Sequence, residues 1–187
     1  MLAKDALITG IGKFPKNERI LDGLMQLYTS EEGVGDPADL VTLIDSAIAD
    51  NPENVDLWFG RGRIFYALKN YDESIASFKK VVELKPDLFE GNYYLGVFYT
   101  IKADEMNKVM NEKQYSSQTA YDTDLKEVNA VYMDAVPWFE KAYELKKDDV
   151  NTLDFLKSIC FRLRDEEGMM DKYNKYNTLL KEAKGEE

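Results

Sequence analysis

Apolar residues recur at helical spacing through most of this chain, in short blocks broken by polar turns. Leu21, Leu24 and Tyr28 keep that spacing, and so do Leu40, Ile44 and Ala47 after a loop at EEGVGDPAD. Near the C-terminus, Leu153, Leu156, Ile159 and Leu163 form one such face, and Tyr173, Tyr176 and Leu180 form another. Three phrases align beneath one another: SAIADNPENVDLW (46–58), KVVELKPDLFEGN (80–92) and KAYELKKDDVNTL (141–153). Each ends one helix at an acidic flank, passes a Pro or Lys and a polar pair, and starts a new apolar block. Pro15, Pro52, Pro86 and Lys147 mark equivalent points, 37, 34 and 61 residues apart. A period of about 34 residues predicts a repeated helix–turn–helix unit. Proline stops each second helix, because it biases the residue before it out of the helical region.

The segment Val55–Leu88, VDLWFGRGRIFYALKNYDESIASFKKVVELKPDL, carries the fullest copy. Trp58, Gly62, Phe65, Tyr71, Ser74, Phe78, Leu84 and Pro86 stand where the tetratricopeptide repeat family has Trp, Gly, an aromatic, Tyr, a small residue, an aromatic, Leu and Pro. The chain resembles that family, in its bacterial type, over residues 3–183. Arg61 departs from the usual Leu, and Val81 is bulkier than the usual Ala. The physics fits the pattern: Gly62 and Ser74 let two helices approach, and Trp58, Phe65 and Phe78 fill the seam. The resemblance implies an all-α fold, a right-handed α-α superhelix of antiparallel helix hairpins with one elongated hairpin.

One repeat array spanning 1–187 is expected to divide into a half repeat at 3–15, repeats at 18–52 and 55–88, an enlarged repeat at 89–149 and a terminal repeat at 150–183. In the enlarged unit Leu95, Gly96 and Tyr99 match a first helix, and Ala135, Phe139, Ala142 and Leu145 match a second. Tyr99 and Ala135 lie 36 residues apart where the family has 9, so 27 residues are inserted, within 101–134. Both helices are expected to be lengthened, joined by a loop near 113–123, with Pro137 kinking the second. The stretch AKDALITGIGKFP reads as a second helix without its partner, so the natural protein is expected to begin further upstream, the alternative being a plain N-terminal cap helix.

Composition then narrows the chemistry. There are no histidines and one cysteine, Cys160, which removes imidazole bases, catalytic triads, intrachain disulfides and cysteine-based zinc sites. With 24 Lys plus Arg against 35 Asp plus Glu, the net charge of -11 argues against nucleic acid as a partner. No apolar run is long enough for a membrane helix. GIGK, GVG and GRG fall short of phosphate-binding loops, and the acidic stretches YDTDLKE and DEEGMMD lack the spacing of a calcium loop. Met106, Met110, Met133, Met169 and Met170 suit packing, and Cys160 suits a buried small hydrophobe. No catalytic residue, metal or cofactor is expected.

In the family, the first helix of each hairpin lines a concave face that holds extended or helical peptides. Helical geometry from the second residue of each first helix selects Asp56, Phe59, Arg63 and Tyr66, then Glu90, Tyr93, Val97 and Thr100, then Asn151, Asp154, Ser158 and Phe161. Phe59 and Tyr93 are equally suited to the seam between helices. The Lys and Asn clamp that relatives use on acidic chaperone tails is absent, since Phe59, Arg63, Tyr94, Asn151 and Phe155 stand at its places. The expected function is a non-catalytic scaffold holding a protein or peptide segment in that groove. The alternatives are a structural module that associates with its own copy or with upstream repeats, and a glycan-binding module using Tyr93, Tyr94 and Phe59.

Overall fold

A computed structural model of the chain describes residues 37–185 and the isolated positions 9, 10, 13, 19 and 23, which are helical. The expected half repeat at 3–15 and the first helix of the 18–52 repeat otherwise lie outside the described residues. Among the described residues there are helices and no strands: α1 Pro37–Asp50, α2 Val55–Ala67, α3 Tyr71–Leu84, α4 Phe89–Glu112, α5 Gln118–Leu145, α6 Val150–Arg162 and α7 Met169–Lys184. The fold is all-α. It divides into two compact units, Met1–Pro86 and Asp87–Glu187.

In the first unit, Pro37 opens α1 at a position where its missing N–H is no loss. Leu40, Ile44 and Ile48 of α1 bury against Leu57 and Ile64 of α2 in one cluster. Asn54 caps α2 by accepting from the N–H groups of Asp56 and Leu57, and the Trp58 indole Nε1–H locks the preceding turn onto the Pro52 carbonyl at 2.8 Å. Asn70 caps α3 through Glu73, after Lys69 makes the turn at φ 57°. The α2–α3 hairpin closes tightly because Gly62 has no side chain. A Cβ there would stand 2.4 Å from the Phe78 ring, and Ser74 Oγ donates to the Gly62 carbonyl at 2.8 Å. Arg61, placed where the family has Leu, is held by Asp45 at 2.7 Å and Glu73 at 2.8 Å. It also donates to Ser77 Oγ at 2.7 Å and lies 4.4 Å over the Phe65 ring.

In the second unit both helices of one hairpin are long, 24 residues in α4 and 28 in α5, and they take in most of the stretch 101–134 expected to be inserted. Their connection is residues 113–117, shorter than the expected 113–123. Ser117 caps α5 by accepting from Ala120 N–H at 3.2 Å, and Gln118 bonds Asp122 at 2.8 Å, so the polar stretch becomes the first turns of a helix rather than a loop. Pro137 lies on the exposed side of α5, and the helix continues through it to Leu145. Asp149 caps α6 through Thr152 N–H and Oγ1, at 2.8 and 2.7 Å. Gly168 turns the chain into α7 at φ 74°. The core joins Leu95, Ala135, Phe139, Ala142, Leu153, Leu156 and Tyr176, all at most 1% exposed.

Candidate functional site

The second unit contains a cleft of about 420 Å³ formed by α4, α5 and α6. Thr100 and Asp104 come from α4, Tyr132 from α5, and Asn151, Asp154, Phe155, Ser158, Ile159 and Arg162 from α6. The α6 members recur every three or four residues, so one face of a single capped helix supplies most of the lining. Phe155 is anchored from behind, stacked on Phe139 at 4.8 Å and met edge-on by Tyr93 at 6.0 Å. Burial and then the charge of Asp149 push the Tyr93 phenol above its ordinary value, so it remains protonated and neutral.

One group of side chains ties the three helices together beside the cleft. Tyr132 donates its hydroxyl to the Asp104 carboxylate. The Arg162 guanidinium lies 4.3 Å over the Tyr132 ring, and its Nη2 donates to Asn107 Oδ1 at 2.7 Å. Arg162 Nε is enclosed and has no hydrogen-bond partner among the described residues. Burial, then the Asp104 contact, raises the Tyr132 phenol; Arg162 opposes this without reversing it. Tyr132 therefore stays a donor, and its hydroxyl is the hydrogen-bond partner that Asp104 has here. Asp104, Asn107 and Tyr132 all lie within 101–134, the stretch expected to be inserted. That stretch thus builds a wall of this cleft.

Of the residues selected by helical spacing, Thr100, Asn151, Asp154 and Ser158 line the cleft together. Glu90 is exposed on α4, and Val97 is half-buried on the same helix. Tyr93 is half-buried, stacked on Phe89 at 5.7 Å and edge-on to Phe139 at 5.9 Å, so it belongs as much to the seam as to the surface. Phe161 points away from the cleft, against Tyr173 of α7 at 5.1 Å, and remains 48% exposed. In the first unit, Asp56 and Arg63 are half-buried and Tyr66 is 42% exposed, 6.4 Å from Tyr71. Phe59 is buried in the seam, edge-on to Phe78 at 4.9 Å.

Asp104, Tyr132, Phe155 and Arg162 were not among the selected positions. Continuing the α4 ladder one turn past Thr100 reaches Asp104, and stepping four residues on from Ser158 reaches Arg162. Asp104 lies beyond the length of an ordinary first helix, and in α6 the ladder takes the three-residue step from Ser158 to Phe161 rather than the four-residue step to Arg162. Tyr132 had no such signal, because its neighbours depend on where the inserted hairpin ends.

Among the described residues no group of carboxylates and Cys is arranged to hold a metal ion, and no helix is long and apolar enough to cross a membrane. Cys160 is buried, and burial pushes its thiol up to about 11, the opposite of an activated nucleophile.

Residues 29–88 match the family model of the tetratricopeptide repeat. Among solved structures, a crystal structure of MamA is similar over 97% of this chain and 86% of its own length, at 14% identity and a TM-score of 0.59. MamA MSR-1 is similar over 95% of this chain and 94% of its own, at 17% identity and a TM-score of 0.52. MamA AMB-1 covers 98% of this chain and 89% of its own, at 17% identity and a TM-score of 0.51. At such identities the likeness shows the fold alone. A comparison with curated proteins finds no match. The repeat match supports a protein-interaction scaffold in general terms.

Proposed function

We propose that this tetratricopeptide repeat protein is a non-catalytic scaffold that holds a segment of a partner protein in the cleft between α4 and α6. The observation that carries this is the cleft's composition. An apolar floor of Phe155 and Ile159 is bordered by Thr100, Asn151, Asp154 and Ser158. Such sites use apolar surface for affinity and a few polar groups for register. The floor is held rigid by Phe139 and Tyr93, so little side-chain freedom is lost on binding. Glu90, Tyr93 and Val97 on α4 are secondary contacts in this proposal; Asp56, Arg63 and Tyr66 on α2 belong to the first unit and form a separate candidate surface there. Phe59 and Phe161 each pack within their own unit, outside the cleft. The lack of histidine in the chain and the general role of the repeat support a scaffold rather than an enzyme.

The test is a selection of displayed random heptapeptides on the parent chain, on Ser158→Trp, which fills the cleft, and on Asp165→Lys, which changes the α6–α7 turn. Peptides retained by the parent and by Asp165→Lys but lost by Ser158→Trp are the expected result. Equal retention by Ser158→Trp, with its helical circular dichroism intact, would move the site elsewhere.

A further inference from the structure

The charges around the cleft are not balanced, and the imbalance has a sign. Asp154 is exposed and has no ion-pair partner among the described residues, and Asp104 is bonded only to the neutral Tyr132 hydroxyl. The single cation in the lining is Arg162. Its guanidinium lies flat on Tyr132 with Nη2 donating to Asn107, and its Nε is enclosed within the fold. An incoming carboxylate cannot reach that Nε without dismantling the stack. The surrounding field has the same sign as the two aspartates, since residues 87–187 carry 21 Asp plus Glu against 14 Lys plus Arg.

We infer that the cleft takes a lysine or arginine side chain of the partner segment, an inference that rests on the cleft being the site where that segment binds. The aliphatic stem lies along Phe155 and Ile159, as long cationic side chains do on apolar surface. The charged head donates to Asp154 and Asp104, and Asn151 and Ser158 accept its remaining N–H groups; hydrogen bonds to carboxylates are the strong ones. Asp104 reaches the cleft because the insertion extends α4 beyond the length of an ordinary first helix. The inserted hairpin is thereby a specificity element, and a repeat of standard length would keep Asp154 and lose its companion.

The probes are four acetylated, amidated pentapeptides, Gly-Leu-X-Leu-Gly, with X as lysine, arginine, norleucine or glutamate, titrated into the full ¹⁵N-labelled chain. The lysine and arginine peptides are expected to shift the amides of residues 100–104 and 151–162 and to bind about tenfold more tightly than the norleucine peptide. That preference should shrink by about threefold in Asp154→Asn, where Asp104 remains, and fade at high salt. Norleucine or glutamate binding in the cleft as tightly as lysine would overturn the inference while leaving the cleft as the peptide site. So would a preference unchanged in Asp154→Asn. If no peptide shifts the cleft amides, the inference and the proposed function fail together.

Discussion

Phe139 closes over Gly96 as Phe78 closes over Gly62. A Cβ on Gly96 would lie 2.8 Å from the Phe139 ring, and one on Gly62 would lie 2.4 Å from the Phe78 ring. The first pair is 43 residues apart and the second 16, a difference equal to the 27 inserted residues. The two hairpins share this core contact although the chain between its two halves differs in length. Gly96→Ala gains roughly 1 kcal/mol of helix propensity, but overpacking against a ring costs about 1–3 kcal/mol. Urea unfolding should therefore show a net loss of up to about 2 kcal/mol. Gly96→Ala with Phe139→Leu should destabilise by less than the sum of the two single changes, because the smaller side chain makes room.

Arg61 supplies a second test, because it occupies a position where the family has an apolar residue. Its side chain is 14% exposed, whereas Asp45 and Glu73 are close to half exposed. Arg61→Ala removes the stack on Phe65 and both ion pairs, but the two carboxylates can return to water. The expected loss is about 1–3 kcal/mol, below that for an ion pair with both members buried. Arg61→Leu restores apolar filling and should fall within about 1 kcal/mol of the parent. A loss for Leu as large as that for Ala, measured by urea unfolding, would mean the ion pairs outweigh the packing.

The hairpin cores were legible because they are written in residue size. Gly62, Ser74 and Phe78, and then Gly96, Ala135 and Phe139, are small and large residues at fixed helical offsets, and close packing leaves few alternatives. The polar stretch before α5 was less legible, since Gln, Ser and Thr suit both a loop and a capped helix start; Ser117 and its bond to Ala120 decide for the helix. Phe59 shows the limit for surface positions. Its place on the helix fits either a groove or a seam, and contact with Phe78 makes it seam. The wall of Asp104, Tyr132, Asn107 and Arg162 joins residues up to 58 positions apart in sequence, and no local periodicity encodes such contacts.

Glu140 gives the second unit a pH dependence. Burial works to raise its carboxyl, but hydrogen bonds from Lys172 and Tyr176, at 2.8 and 2.6 Å, together with nearby lysine charge, bring it below the usual range. A carboxyl depressed in the folded state stabilises the fold above its unfolded value, and that contribution is lost as pH falls below about 4. Tyr176 behaves in the opposite sense: burial, then the bond to Glu140, raises its phenol, so its contribution holds below about pH 10 and fades above it. Glu140→Gln should cost about 1–3 kcal/mol at neutral pH and flatten both flanks of the stability–pH curve obtained from thermal melts. A variant that loses stability with both flanks unchanged would place the pH response in other groups.

Excision of the insertion separates packing from the cleft. Removing residues 104–130 takes out 27 residues and returns Tyr99 and Ala135 to the spacing found between Phe65 and Ser74. Replacing the remaining junction with Leu-Lys-Asn-Tyr, the turn at 68–71, supplies the Asn cap that starts α3. Gly96, Ala135 and Phe139 are untouched, so the shortened chain should remain helical and unfold cooperatively. It loses Asp104 and Asn107 outright and the native setting of Tyr132, so Arg162 is left without its partners. A deficit of about 1–3 kcal/mol is expected from that loss alone, read by urea unfolding against the parent. Changing Arg162→Leu in the shortened chain should recover much of it, because the uncompensated charge is then gone. Collapse of the shortened chain to a non-cooperative state would show instead that the long helices hold the hairpin together, and that Gly96 under Phe139 is a consequence of them.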